Sequence, residues 1–187
     1  AVHDRGYYAY GIPVVVSARV APGDGDVINI EGESGLSGEI FDKAVLILSG
    51  YLRSRYARNF PLSITASVCF EQMYTAIDGD SATAVQLCAI LSAISLIPLR
   101  QDLAMTGSVN QMGDMQPVGG ISEKIEGFHK VCSHIGLSGS QGVIIPRRNI
   151  ANLILNERLE KDIKAGLFHI YAVDNIDQAL EVLSGKQ

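Results

Sequence analysis

Helical and extended patterns alternate along almost all of this 187-residue chain, and that interleaving restricts it to α/β layers in which helices cover sheet. Residues 10–22, YGIPVVVSARVAP, are rich in β-branched side chains and close on Pro22-Gly23-Asp24-Gly25, which predicts a strand and a hairpin-like turn. Residues 26–32 alternate apolar and polar and read as the partner strand. A helix is expected from Ser37-Gly38 to about Arg58. Phe41, Val45, Leu48 and Leu52 recur there near helical spacing, and Arg53, Arg55 and Arg58 fall where the helix dipole favours cations. Residues 61–72 predict a strand, followed by a helix from about Ser81 to Ile97 that Pro98 stops.

The second half continues the alternation. Residues 102–110 predict a strand ending in a turn, and 115–120 a short extended return. Residues 121–136 form a helix with Ile125, Phe128, Val131, Cys132 and Ile135 on one stripe, closed by Gly136. A buried strand (142–146), one or two helical turns (149–166), a last strand (168–173) and a final helix capped by Asp174 complete the chain. The length predicts one domain over residues 1–187. A start at Ala1 without methionine reads as a piece cut from something longer.

Composition narrows the function. A net charge of −5 argues against a nucleic-acid surface, which needs a basic field. The longest apolar run, LCAILSAISLIPL (87–99), is too short to span a bilayer, and no stretch reads as a signal peptide. Cys69, Cys88 and Cys132 are odd in number and widely spaced, poor material for a disulfide framework or zinc site. They read as small buried hydrophobes in a reducing, cytoplasmic setting. The glycine-rich GESGLSG (32–38) lacks the Gly-Lys-Ser/Thr ending of a phosphate loop and reads as a connector.

The stretch that resists a purely structural reading is AIDGDSATA (76–84), where Asp78, Asp80 and Ser81 crowd the mouth of the most apolar helix. Helix capping is one explanation. A nucleophilic Ser81 is the other, and it requires a base. His3 lies near an end and His169 inside a strand, while His129 and His134 are on different faces of one helix; each reads as a surface or packing residue. A lysine serves as base only when desolvated or held in positive potential. Lys124 stands apart from the other lysines because it lies in the first turns of the helix after PVGGIS, near unpaired N–H groups. A solvated surface lysine is the bland alternative.

Three separated stretches, DGDSA (78–82), MTGSV (105–109) and QPVGGISEKIEG (116–127), resemble the proteolytic domain of the Lon family of ATP-dependent serine proteases. The similarity runs from about residue 10 to 183. It implies a Lon protease-domain-like fold of mixed β-sheet layers covered by helices, with Ser81 as nucleophile and Lys124 as general base. It implies that the Thr106 hydroxyl helps position the lysine amine, and that Asp78 can approach that amine. It further implies hydrolysis of peptide bonds in unfolded or damaged proteins, a homohexamer, and ATP with Mg used by an ATPase or unfoldase region outside this chain. No cofactor, metal, nucleic acid or membrane is expected for the domain itself.

The turn departs from one common version of the family, with Asp80 before the serine instead of proline and Thr83 two residues after it instead of glycine. Its wording is closer to the archaeal-type and bacterial Lon-like branch. A carboxylate against Lys124 would stabilise the ammonium and oppose its work as a base. Asp78 or Asp80 is therefore expected to be able to salt-bridge Lys124 in a resting state; solvated caps are the alternative. Two rival functions remain at this level: an idle assembly module of the same fold, and a Ser–Lys amidase that does not cut proteins.

Overall fold

A computed structural model describes residues 1–186. The extended stretch at 10–22 is interrupted around Pro13: Ala9–Gly11 forms β2, antiparallel to β1 (Val2–Asp4), and Val16–Pro22 forms β3. The expected hairpin does not form. The Gly23 and Gly25 N–H groups bond to the carbonyls of Ser63 and Ile64 (3.2 and 2.9 Å), so the turn wraps around the start of β5 (Ile64–Phe70) instead of folding back on β3. β5 consequently lies between β3, to which it is antiparallel, and β4 (Val27–Asn29), to which it is parallel. The partner strand expected over 26–32 is cut short because Ile30–Glu33 coils into α1.

Helix α2 (Glu39–Tyr56) buries Phe41, Val45, Leu48 and Leu52, the stripe its periodicity predicts. Helix α3 (Thr83–Ser95) begins two residues later than expected, so Ser81 occupies a turn ahead of it rather than its first turn. The strand expected over 102–110 divides. Leu103–Met105 is β6, Ser108–Val109 is β7, and Thr106-Gly107 is the break between them. β7 pairs antiparallel with β8 (Met115–Gln116). Helix α4 (Ile121–Ile135) ends where the Gly136 N–H bonds the Cys132 carbonyl.

Strand β9 (Gly142–Pro146) is buried at every position, as expected of a parallel strand covered on both faces. It runs parallel to β6 on one side and to β10 (His169–Val173) on the other. A 3₁₀ turn (Arg147–Asn152), α5 (Glu157–Lys164) and α6 (Ile176–Ser184) follow from the second half of the sequence. The cap of α6 is Asn175, whose side chain accepts the Gln178 N–H. The expected cap, Asp174, instead pairs with Arg147 at 2.9 Å.

The alternation of β9 divides the interior. Ile144 faces a core built with Leu48, Val68, Leu87 and Ile176, whereas Val143 and Ile145 face a second built with Ile125, Leu159 and Phe168. A third, smaller cluster joins Phe41 and Phe70 edge-to-face, with Ile77 and Ala82 packed against it. Those two apolar residues fasten both ends of the turn that carries Ser81. The result is a mixed α/β fold of several sheets covered by helices. Among the described residues, no helix is long and apolar enough to cross a membrane.

Candidate active site

The break between β6 and β7 is the joint of the site. Leaving β6, the Thr106 N–H still bonds β9 through the Ile144 carbonyl (3.1 Å), but the Gly107 N–H turns to the carbonyl of Ser81 (2.8 Å). The Thr106 hydroxyl donates to that same carbonyl (3.2 Å). Two donors thus hold the backbone of Ser81, and the Ala84 N–H returns the contact by bonding the Gly107 carbonyl (3.1 Å). The Ser81 hydroxyl itself bonds no described residue, and the side chain is half-buried.

The Lys124 side chain reaches the same threonine from α4. Its Nζ donates to Thr106 Oγ1 at 3.3 Å, so the one hydroxyl accepts from the lysine while donating to the serine's carbonyl. Desolvation holds the Lys124 ammonium below the ordinary lysine range, and the carboxylates of Asp80 and Glu123 act against that shift. Burial therefore dominates. The amine keeps a lone pair when neutral, while one of its N–H bonds remains aimed at Thr106.

Backbone crossing explains how α4 is fixed here. A Cβ on Gly11 would overlap the Glu123 carbonyl, and one on Gly127 would overlap the Gly11 carbonyl, so β2 lies directly against this face of α4. A glycine inside a helix costs about 1 kcal/mol against alanine, and Gly127 offsets it by admitting that strand. Sequence alone assigns no individual role to Gly11, Gly107, Gly127 or Glu123. The signal available was a mid-helix glycine without a turn to justify it.

The two aspartates separate. Neither forms an ion pair with Lys124 in this structure. The Asp78 carboxylate is engaged elsewhere, accepting the Phe41 N–H of α2 (3.1 Å) and the Gly79 N–H (2.8 Å). Asp80 is the carboxylate of the pair whose field reaches Lys124, through an exposed side chain.

A second hydroxyl–base–acid group lies further along α4. His129, 3% exposed, contacts Asp162 on α5 through Nε2 at 2.7 Å, and the Ser133 hydroxyl meets the same nitrogen at 3.3 Å. The ring also stands edge-on to Phe168. His169 bonds the Gly139 carbonyl at 2.7 Å. Cys88 and Cys132 are buried and Cys69 partly so, with burial pushing the Cys88 thiol up to about 12. The glycine-rich loop is occupied: the Ser37 hydroxyl bonds Asp42, and Gly38 lies against Asp78. That acidic setting repels a phosphate and does not fit a nucleotide.

A cavity of about 440 Å³ opens beside the amino end of α4, lined by Val118, Gly120, Ser122, Glu123, Asn149 and Ile154 among others. Asn149, 2% exposed, braces the PVGG loop by bonding both the N–H and the carbonyl of Val118. Ser81, Thr106 and Lys124 do not line this cavity.

The family model of the Lon protease (S16) C-terminal proteolytic domain matches residues 11–185. The chain is 43% identical over 175 residues to a putative Lon protease homolog of Escherichia coli strain K12, covering 94% of this chain and 30% of that protein. A putative Lon protease homolog of Haemophilus influenzae is 42% identical, with 95% of this chain and 30% of the relative covered. The archaeal Lon protease of Thermococcus kodakarensis is 35% identical, with 92% and 25% covered. This chain thus spans less than a third of the length of each of these relatives.

Proposed function

The chain belongs to the Lon protease (S16) C-terminal domain family, which supports a peptidase role, and from that premise we propose that it is a serine endopeptidase working through a Ser81–Lys124 dyad. The observation that carries this reading is the Thr106 hydroxyl, hydrogen-bonded both to Lys124 Nζ and to the carbonyl of Ser81. A lysine kept below its usual range by burial, and linked through Thr106 to the turn of a serine whose hydroxyl is unbonded, is chemically equipped to remove that hydroxyl's proton.

In the proposed reaction neutral Lys124 takes the Ser81 proton as Oγ attacks the scissile carbonyl. The tetrahedral intermediate collapses to an acyl-enzyme, and the C–N bond breaks as the lysine ammonium gives its proton to the leaving amine. Neutral Lys124 then deprotonates water, which attacks the ester and releases the second product, returning the proton to Ser81. Backbone N–H groups of the Asp80–Ser81 turn are the proposed oxyanion donors. Asp80 opposes the base and is the proposed resting-state partner of Lys124.

The substrates proposed are unfolded or damaged proteins, cut in the cytoplasm within a homohexamer. ATP and Mg would be used by an ATPase region elsewhere in the assembly, and no chemical step here depends on them. The test is turnover of an unfolded protein by wild type, Ser81→Ala and Lys124→Ala, with a peptide boronate as inhibitor and mass spectrometry of the adduct. Activity lost in both variants and an adduct on Ser81 support the dyad; full activity in either overturns it. Cleavage of small amides without cleavage of protein would favour the amidase, and absence of any acylation the idle module.

A further inference from the structure

Helix α2 lacks a cap of its own. Its N-cap residue is Gly38, which has no side chain to accept the helix's free N–H groups. The acceptor is supplied from across the fold, where Asp78 Oδ1 takes the Phe41 N–H, the third residue of the helix. The approach depends on glycine, because a Cβ at Gly38 would overlap the Asp78 carboxyl carbon. Two backbone bonds secure the same junction: the Gly38 N–H donates to the Ile77 carbonyl (2.8 Å) and the Ile77 N–H to the Leu36 carbonyl (2.9 Å).

The same Asp78 oxygen accepts the Gly79 N–H, and Ser81 is held by Gly107 and Thr106 at its other end. Only Gly79 and Asp80 lie between these anchors. The structure assigns Asp78 a positioning role: as the remote cap of α2 it fixes the turn that presents the Ser81 hydroxyl, a role that rests on the nucleophile reading above. The carboxylate acts through the backbone of the turn, while Asp80 is the aspartate of the two whose charge acts on Lys124. α2 and the candidate nucleophile are thereby coupled through one side chain.

The test compares Asp78→Ala, Asp78→Asn and Gly38→Ala with wild type in the full chain, using a fluorogenic peptide and amide hydrogen exchange at Phe41. Loss of the cap in Asp78→Ala should speed Phe41 exchange about fivefold to tenfold. It should also lower kcat about tenfold with KM nearly unchanged, because the turn is misplaced while binding surfaces persist. Asp78→Asn keeps an acceptor oxygen and should restore both quantities. Gly38→Ala, which alters no charge, should reproduce the loss. Unchanged Phe41 exchange in Asp78→Ala, faster exchange with an undiminished kcat, or an asparagine variant no better than the alanine one would each overturn the assignment. Full turnover by Ser81→Ala would instead refute the nucleophile reading, and the Phe41 measurement would still decide whether Asp78 caps α2.

Discussion

Helix α4 carries two groups of similar composition and opposite character. Near its amino end, Lys124 meets Thr106, which holds the turn of Ser81, and Asp80 lies within reach of its field. Further along, His129 meets Asp162 and Ser133. By residue type the second is the more familiar hydrolytic set, yet its geometry disqualifies it. A relay needs acid and hydroxyl on opposite ring nitrogens, and here both meet Nε2 within the packing of α4 on α5. The lysine group is the one with an unbonded hydroxyl. Ser81→Ala and Lys124→Ala should each lower kcat by about 10⁴-fold or more, whereas His129→Gln should leave turnover per folded molecule within about threefold of wild type. Turnover abolished in the histidine variant and intact in the lysine one would invert the comparison.

Thr106 sharpens it at the next level. Thr106→Val keeps the shape of the side chain but removes the bond to Lys124 and one of the two donors to the Ser81 carbonyl. Because Gly107 still holds that carbonyl, the turn should persist and the amine lose its orientation. The expected result is a kcat reduced about 10- to 100-fold with KM little changed. A threonine serving only the strand break would give a lower Tm and an unchanged kcat.

The histidine group should answer in stability instead. Asp162→Ala leaves His129 buried with only Ser133 to bond, a loss of about 1–3 kcal/mol. For a chain of this length that lowers Tm by roughly 5 °C. Turnover by the molecules that remain folded should not change. A fall in kcat without a fall in Tm would mean the pair acts on the site.

What could be read in the sequence depended on how local the cause was. Ser81 and Lys124 stood out because each lies beside a turn or helix start, and the interleaved layers followed from periodicity. The order β3-β5-β4 was not legible, since nothing around Gly23–Gly25 records that its N–H groups will find Ser63 and Ile64. The direction of Asp78 was hidden for the same reason: the N–H it caps belongs to Phe41, 37 residues earlier in the chain. His129 reads as a surface or packing residue from sequence, and which of the two was not legible because its partner Asp162 is on another helix. The sequence leaves open whether Asp78 or Asp80 is the partner of Lys124. The demand of an uncapped helix took one of them away.

The smallest expected effect tests that separation directly. If Lys124 must be neutral to act, the acidic limb of the pH profile follows its pKa, which burial depresses and the Asp80 carboxylate pushes back up. Asp80→Asn removes the opposing charge, so the pKa should fall further and the limb move to lower pH. The shift should be less than about one unit, because an exposed carboxylate is screened by water. Raising the ionic strength should move the wild-type limb toward that of the variant, since salt weakens the Asp80 field that the variant lacks. Asp78→Asn should leave the limb where it is, its carboxylate being spent on α2. A limb that moved to higher pH in Asp80→Asn would show that the carboxylate does not stabilise the ammonium. One that moved only in Asp78→Asn would exchange the roles of the two aspartates.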